Sequence, residues 1–77
     1  MNDSEKRLGD MIKTARKEHH WTQNQFAEQL GVSAFYVRNL ECGKCVPSLA
    51  VFCKAMRMLN LSADDYVYPE RTANAEV

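Results

Sequence analysis

In "WTQNQFAEQLGVS", residues 21–33, one glycine and one following residue separate two stretches that both carry helix-start signals. Thr22 can cap the backbone amides of a helix while Gln25, three residues on, reaches back to it, and Trp21 can staple onto Phe26. A helix therefore runs from Gln23 to Leu30, where Gly31 supplies the left-handed residue that closes it at little cost. Ser33 caps the next helix almost at once, and that helix extends to about Cys42, with Gly43 closing it in the same manner. So short a connection forces the two helices to cross steeply, packed through Phe26, Ala27, Leu30, Val37 and Leu40.

The rest of the chain is punctuated in the same way. Leu8, Met11, Ile12 and Ala15 fall on one face of a first helix from about Ser4 to His19, with basic residues outside. On that outer face Arg16 and Lys17 read as solvated, and His19 and His20 close the helix, where the dipole favours cations. "VPSLAVFCKAMRMLNLS" gives a fourth helix capped by Ser48, with Leu49, Phe52, Ala55, Met56 and Leu59 as its apolar stripe, Cys53 near the stripe's edge and Asn60 as a left-handed terminator. Ser62 with Asp65 forms another capping pair, and Leu61 with Tyr66 a staple, opening a short fifth helix that Pro69 stops. No run alternates with period two, so the expected class is all-α with five helices: one domain over residues 1–69 and a frayed tail over 70–77.

Composition narrows what such a domain can do. At 77 residues there is room for one core and none for an enzyme's deep internal pocket, while 45% apolar and 26% charged residues give an ordinary globular balance. The uncharged run around Val46 to Cys53 is far short of the roughly 20 residues that cross a bilayer, and "MNDSEKRLGD" does not resemble a secretion signal. These features predict a cytoplasmic protein without membrane contact. Net charge is zero, yet residues 1–59 hold nine Lys/Arg against six Asp/Glu, so any polyanion-binding surface belongs to that part.

Helix, glycine turn, helix is the helix-turn-helix spacing, and the residues around it resemble the lambda-repressor and Cro-like domains, also called the xenobiotic-response-element type. Over roughly residues 6–68 the matching letters are Thr22, Gln23, Ala27, Gly31, Val32, Ser33, Tyr36, Val37, Leu40, Glu41, Gly43, Lys44, Pro47, Ser48 and Leu49, continued by Leu59, Leu61, Ser62 and Asp65. The resemblance implies a five-helix bundle that docks its third helix in the major groove of double-stranded DNA, as a sequence-specific transcriptional regulator. With Val37 and Leu40 inward, a 100° step per residue turns Phe35, Arg38, Asn39 and Cys42 outward, with Ala34 and Tyr36 at the flanks.

That outward row suits a groove reader. Arg38 can bond a guanine edge with two N–H groups, Asn39 can do the same for adenine, and Phe35 or Ala34 can meet thymine methyls; Ser33 at the cap completes the base-reading set. The bland reading of Arg38 and Asn39 is simple solvation. The resemblance implies phosphate contacts from Gln23 at a positive helix terminus, with Lys44 and Tyr36 as further candidates. Two departures stand out. The face of "SAFYVRN" is less polar than is usual in the family, which implies a smaller, more methyl-rich base contact, and Cys42 stands where asparagine is common.

The three cysteines include "CGKC", residues 42–45, a spacing shared by redox dithiols and half zinc sites. Redox dithiols sit at helix N-termini, whose dipole lowers the thiol pKa, whereas Cys42 closes a helix. Zinc needs four ligands, and only Cys53, His19 and His20 remain without a second paired motif. The expectation is a turn chosen for Gly43 and Lys44, with no metal, no cofactor and no catalytic residue. The rival to DNA regulation is an antitoxin-like protein-interaction module with secondary DNA binding, which neutral charge and exposed Phe35 favour. Two-fold operators would further call for a homodimer, for which the fifth helix with Leu61, Tyr66, Val67 and Tyr68 is the remaining apolar segment; the alternative is that those side chains only close the monomer core.

Overall fold

The computed structural model describes residues 3–67, which form α1 (Asp3–Glu18), α2 (Gln23–Leu30), α3 (Ala34–Glu41), α4 (Leu49–Met58) and α5 (Ala63–Val67), with no strand among them. Tyr68, Pro69 and the tail over 70–77 lie outside the described residues.

Helix ends follow one chemical scheme. At the start of α2 the Thr22 hydroxyl accepts from the Gln25 amide at 3.0 Å and the Gln25 side chain accepts from the Thr22 amide at 2.9 Å, the reciprocal cap expected there. Trp21 stacks on Phe26 with ring centroids 5.7 Å apart. Ser33 and Ser48 cap α3 and α4 through the amides of Tyr36 and Val51. Ser62 accepts from the Asp64 amide, while its own amide donates to Asp65.

The first four helices all end on a left-handed residue, namely His20, Gly31, Gly43 and Asn60. In each case the next residue's amide reaches back five positions, as Trp21 to the Arg16 carbonyl and Lys44 to the Asn39 carbonyl, which satisfies carbonyls the helix leaves open. The histidine pair was expected to close α1, and it does so through backbone shape: α1 stops at Glu18 and His20 takes φ 61°.

The core joins α1, α2, α3 and α4 through Leu8, Ile12, Ala15, Phe26, Ala27, Leu30, Val37, Leu40, Ala55, Met56 and Leu59. The α4 stripe is shorter than its periodicity predicts. Leu49 is 77% exposed and Cys53 is exposed as well, because burial begins at Val51 and Phe52 and is complete only from Ala55. The first turn of α4 therefore stands clear of the bundle. Leu61 and Tyr66 pack against the core, and α5 is latched to α1: Arg7 donates to the Tyr66 carbonyl at 2.7 Å and lies over its ring, while the Tyr66 hydroxyl donates to the Ser4 carbonyl.

Two contacts between α1 and the end of α3 set the angle of α3. Gly9 is buried where α1 crosses the last turn of α3, so closely that a Cβ there would sit 2.5 Å from the Leu40 carbonyl oxygen and 2.6 Å from that of Glu41. Farther along α1, Arg16 is not a solvated surface residue: it is buried, and its Nε lies 2.6 Å from Glu41 Oε2 with Nη2 3.2 Å from Oε1. The third edge of the guanidinium donates to the Trp21 carbonyl at 2.6 Å. Gln23 Nε2 completes the group by donating to Glu41 Oε1 at 3.0 Å. Periodicity placed Arg16 outside because it sits beside the apolar stripe, but a carboxylate arriving from α3 covers that flank.

Gly9→Ala should lower the melting temperature even though alanine favours helix by about 1 kcal/mol, since the clash is with backbone atoms and overpacking of this kind costs about 1–3 kcal/mol. Thermal unfolding followed by circular dichroism checks this. Arg16→Met alone should cost about 3–5 kcal/mol by stranding a buried carboxylate, whereas Arg16→Met with Glu41→Leu should recover most of that loss. Denaturant titration of the two single variants and the double variant decides it; simple additivity would contradict a coupled pair.

Candidate nucleic-acid interface

With Val37, Leu40 and Glu41 turned inward, α3 presents Phe35 and Arg38 to solvent, with Asn39, Ala34 and Tyr36 half-buried beside them. Phe35 is 62% exposed. Arg38 lies over its ring, the guanidinium carbon 5.5 Å from the centroid. A shallow groove of about 260 Å³ runs between this face and the start of α2, lined by Gln23, Asn24, Ala34, Phe35 and Arg38.

The groove thus brings together Gln23, Ala34, Phe35 and Arg38 from the residues singled out by sequence. Ser33, Tyr36, Asn39 and Lys44 are not part of its lining. Ser33 is exposed, but its oxygen is used in capping, accepting from the Tyr36 amide. Tyr36 packs partly onto the core. Lys44 is exposed one residue past Gly43, its amide fixed on the Asn39 carbonyl at 2.8 Å. Asn24 was not anticipated; its position next to Gln23 in an exposed first helical turn was the available signal.

The electrostatics of the groove come from Arg38 and from the start of α2. The first turn of a helix leaves backbone N–H groups without intrahelical partners, and the Thr22 side chain takes only that of Gln25. Gln23 cannot move freely there, because one of its amide hydrogens is committed to Glu41. Its second hydrogen and its carbonyl oxygen remain available to a ligand. The Arg38 side chain has no hydrogen bond or ion pair among the described residues.

Cys42 and Cys45 lie at the other end of α3, and Cys53 lies on α4. Cys42 is the exposed C-terminal cap, Cys45 is half-buried against the core, and all three thiols are free. Burial, with a smaller contribution from the Glu5 carboxylate, pushes the Cys45 thiol above its ordinary pKa. The described His, Cys, Asp and Glu side chains form no group of three that could hold a metal ion.

Comparison with known proteins gives this arrangement a family. The model of the helix-turn-helix domain matches residues 7–66. An uncharacterized HTH-type transcriptional regulator, YazB of Bacillus subtilis (strain 168), is 38% identical over 63 residues, covering 82% of this chain and 91% of its own. The ImmF control region 10 kDa protein of Bacillus phage phi105 is 38% identical over 56 residues, which cover 73% of this chain and 62% of the phage protein. Among solved structures, the clp gene regulator ClgR from Corynebacterium glutamicum superposes with a TM-score of 0.77 at 24% identity, over 86% of this chain and 70% of that one, a likeness of fold. With a capped α2, a glycine turn and an outward-facing α3 in the span these similarities cover, the chain belongs to the helix-turn-helix domain family.

Proposed function

We propose that this protein is a sequence-specific double-stranded DNA-binding transcriptional regulator that inserts α3 into the major groove. The observation that carries the reading is the exposed face of α3, where Phe35 and an unpaired Arg38 border a groove that ends at the first turn of α2. A cation with N–H donors beside an exposed apolar ring matches base edges, which offer acceptors and methyl groups. The described helices include none long and apolar enough to cross a membrane.

Roles divide along the two helices. Arg38 and Asn39 supply donors to base edges, Phe35 and Ala34 apolar contact, and Ser33 its hydroxyl hydrogen at the rim. Gln23, held by Glu41, aims its remaining amide hydrogen and the neighbouring helix-start amides at a phosphate, and Lys44 and Tyr36 hold the backbone elsewhere. Such phosphate contacts fix the angle at which α3 enters the groove. The names of the Bacillus relative and the phage protein support a regulatory role for this chain too. A homodimer, through the exposed part of the α5 region at Val67, would match a two-fold operator.

Selection from random duplexes tests the reading. Enrichment of one sequence is expected; failure to enrich any, together with a tight protein partner in a pull-down, would instead establish an interaction module of the antitoxin kind. On the enriched duplex, Arg38→Ala should weaken binding by about 1–3 kcal/mol and relax base choice at one position. Equal loss on random DNA would reduce Arg38 to a phosphate contact. Lys44→Ala should lower the magnitude of the slope of log affinity against log salt by about one unit. Gln23→Ala should weaken all duplexes by a similar factor with little change in slope, because glutamine is neutral. Fluorescence anisotropy over a salt series measures both.

A further inference from the structure

Phe35 and Arg38 behave as one unit on α3. They are three residues apart, the guanidinium carbon is 5.5 Å from the ring centroid, and neither side chain has a hydrogen bond or ion pair among the described residues. A guanidinium over the ring face is attracted to it without using its N–H donors, which stay available to a ligand. The ring itself is 62% exposed, so it has apolar area to lose to a partner. Ala34 continues the apolar wall of the groove on which both residues border.

Spacing decides how far apart the two can read. Residues three apart climb about 4.5 Å along a helix, at 1.5 Å each, against a base-pair rise of about 3.4 Å. In zinc-finger helices the same spacing addresses successive base pairs. In the major groove the partner for a guanidinium is the O6 and N7 pair of guanine, and the apolar group available to a phenyl ring is the C5-methyl of thymine.

We propose that Phe35 and Arg38 together read two adjacent base pairs, one presenting guanine to Arg38 and its neighbour presenting a pyrimidine C5-methyl to Phe35. This rests on the placement of α3 in the major groove. Because the recognised group is the methyl and not the thymine ring, 5-methylcytosine at the same place satisfies Phe35 where cytosine does not. Binding is therefore sensitive to cytosine methylation at that step. Phe35 is a specificity-determining residue in its own right, through a contact that Arg38 alone cannot make.

The test uses the full chain and the duplex enriched by selection, with the base pair read by Arg38 located by its loss of specificity in Arg38→Ala. Replacing the neighbouring thymine by deoxyuridine removes only the methyl group and should weaken binding about 4-fold, the equivalent of about 0.8 kcal/mol for one carbon taken out of water. Replacing it by cytosine should weaken binding, and 5-methylcytosine should restore part of the loss. In Phe35→Ala, whose side chain is mostly exposed, the thymine and deoxyuridine duplexes should bind equally. Phe35→Leu should retain part of the difference. Tight, specific binding that ignores the thymine-to-deoxyuridine change, or a selected site with no thymine beside that guanine, overturns the methyl reading while leaving DNA regulation intact. Absence of any enriched duplex overturns the regulatory function on which it rests.

Discussion

The rest of this small bundle depends on the buried ion pair between Arg16 of α1 and Glu41 at the end of α3. A paired charge in a core this small is not a cheap source of stability, because desolvating two ions offsets much of their attraction. What the pair contributes is geometry. A guanidinium has fixed donor directions, and here they are assigned to the Glu41 carboxylate and the Trp21 carbonyl, while Glu41 also takes Gln23. One carboxylate thereby ties the end of α3 to α1 and to the start of α2. Gly9 adds the steric half of the same constraint by letting α1 press onto the last turn of α3.

Those restraints act on the inward side and the C-terminal end of α3, which leaves the opposite side unencumbered. The Arg38 guanidinium lies over the Phe35 ring and has no hydrogen bond or ion pair among the described residues, and the N-terminal turn of α2 stands across the groove from them. A reader helix must be held rigidly by contacts that do not consume its reading face, and the division of α3 into Val37, Leu40 and Glu41 inside and Phe35 and Arg38 outside meets that condition. The latch of Arg7 and Ser4 on Tyr66 serves the far side of the bundle, where α5 covers α1.

Much of this was legible in the sequence wherever a local signal carried it. Thr22 with Gln25, Ser33, Ser48, Gly31, Gly43 and Asn60 announce helix ends through their own backbone chemistry, and all of them act as expected. His20 was read as a helix-closing residue for its charge, and its left-handed backbone, which accompanies the bond from the Trp21 amide to the Arg16 carbonyl, escaped notice. Long-range partners were less readable. Nothing within a helical turn of Arg16 reveals that Glu41, 25 residues away, will bury it. An isolated glycine inside the helical pattern at Gly9 was a usable sign of close backbone approach. Leu49 shows the limit of periodicity, which gives the direction of a side chain and not whether another element reaches it. In the candidate interface the outward residues of α3 followed from helical phase, while the commitment of Gln23 to Glu41 and the placement of Arg38 over Phe35 depend on the folded arrangement.

The claim that binds these observations is that the α1 clamp presents one face, made from α3 and the start of α2, to DNA. Titrating the isotopically labelled protein with an enriched duplex and following its backbone amide resonances tests this most directly. The account predicts that the perturbed amides fall at Gln23, Asn24, residues 33–39 and Lys44, while those of α5 and of the α1 surface around Asp10 and Thr14 stay in place. Perturbations concentrated on α4 and α5, with the amides of α3 unchanged, would contradict it.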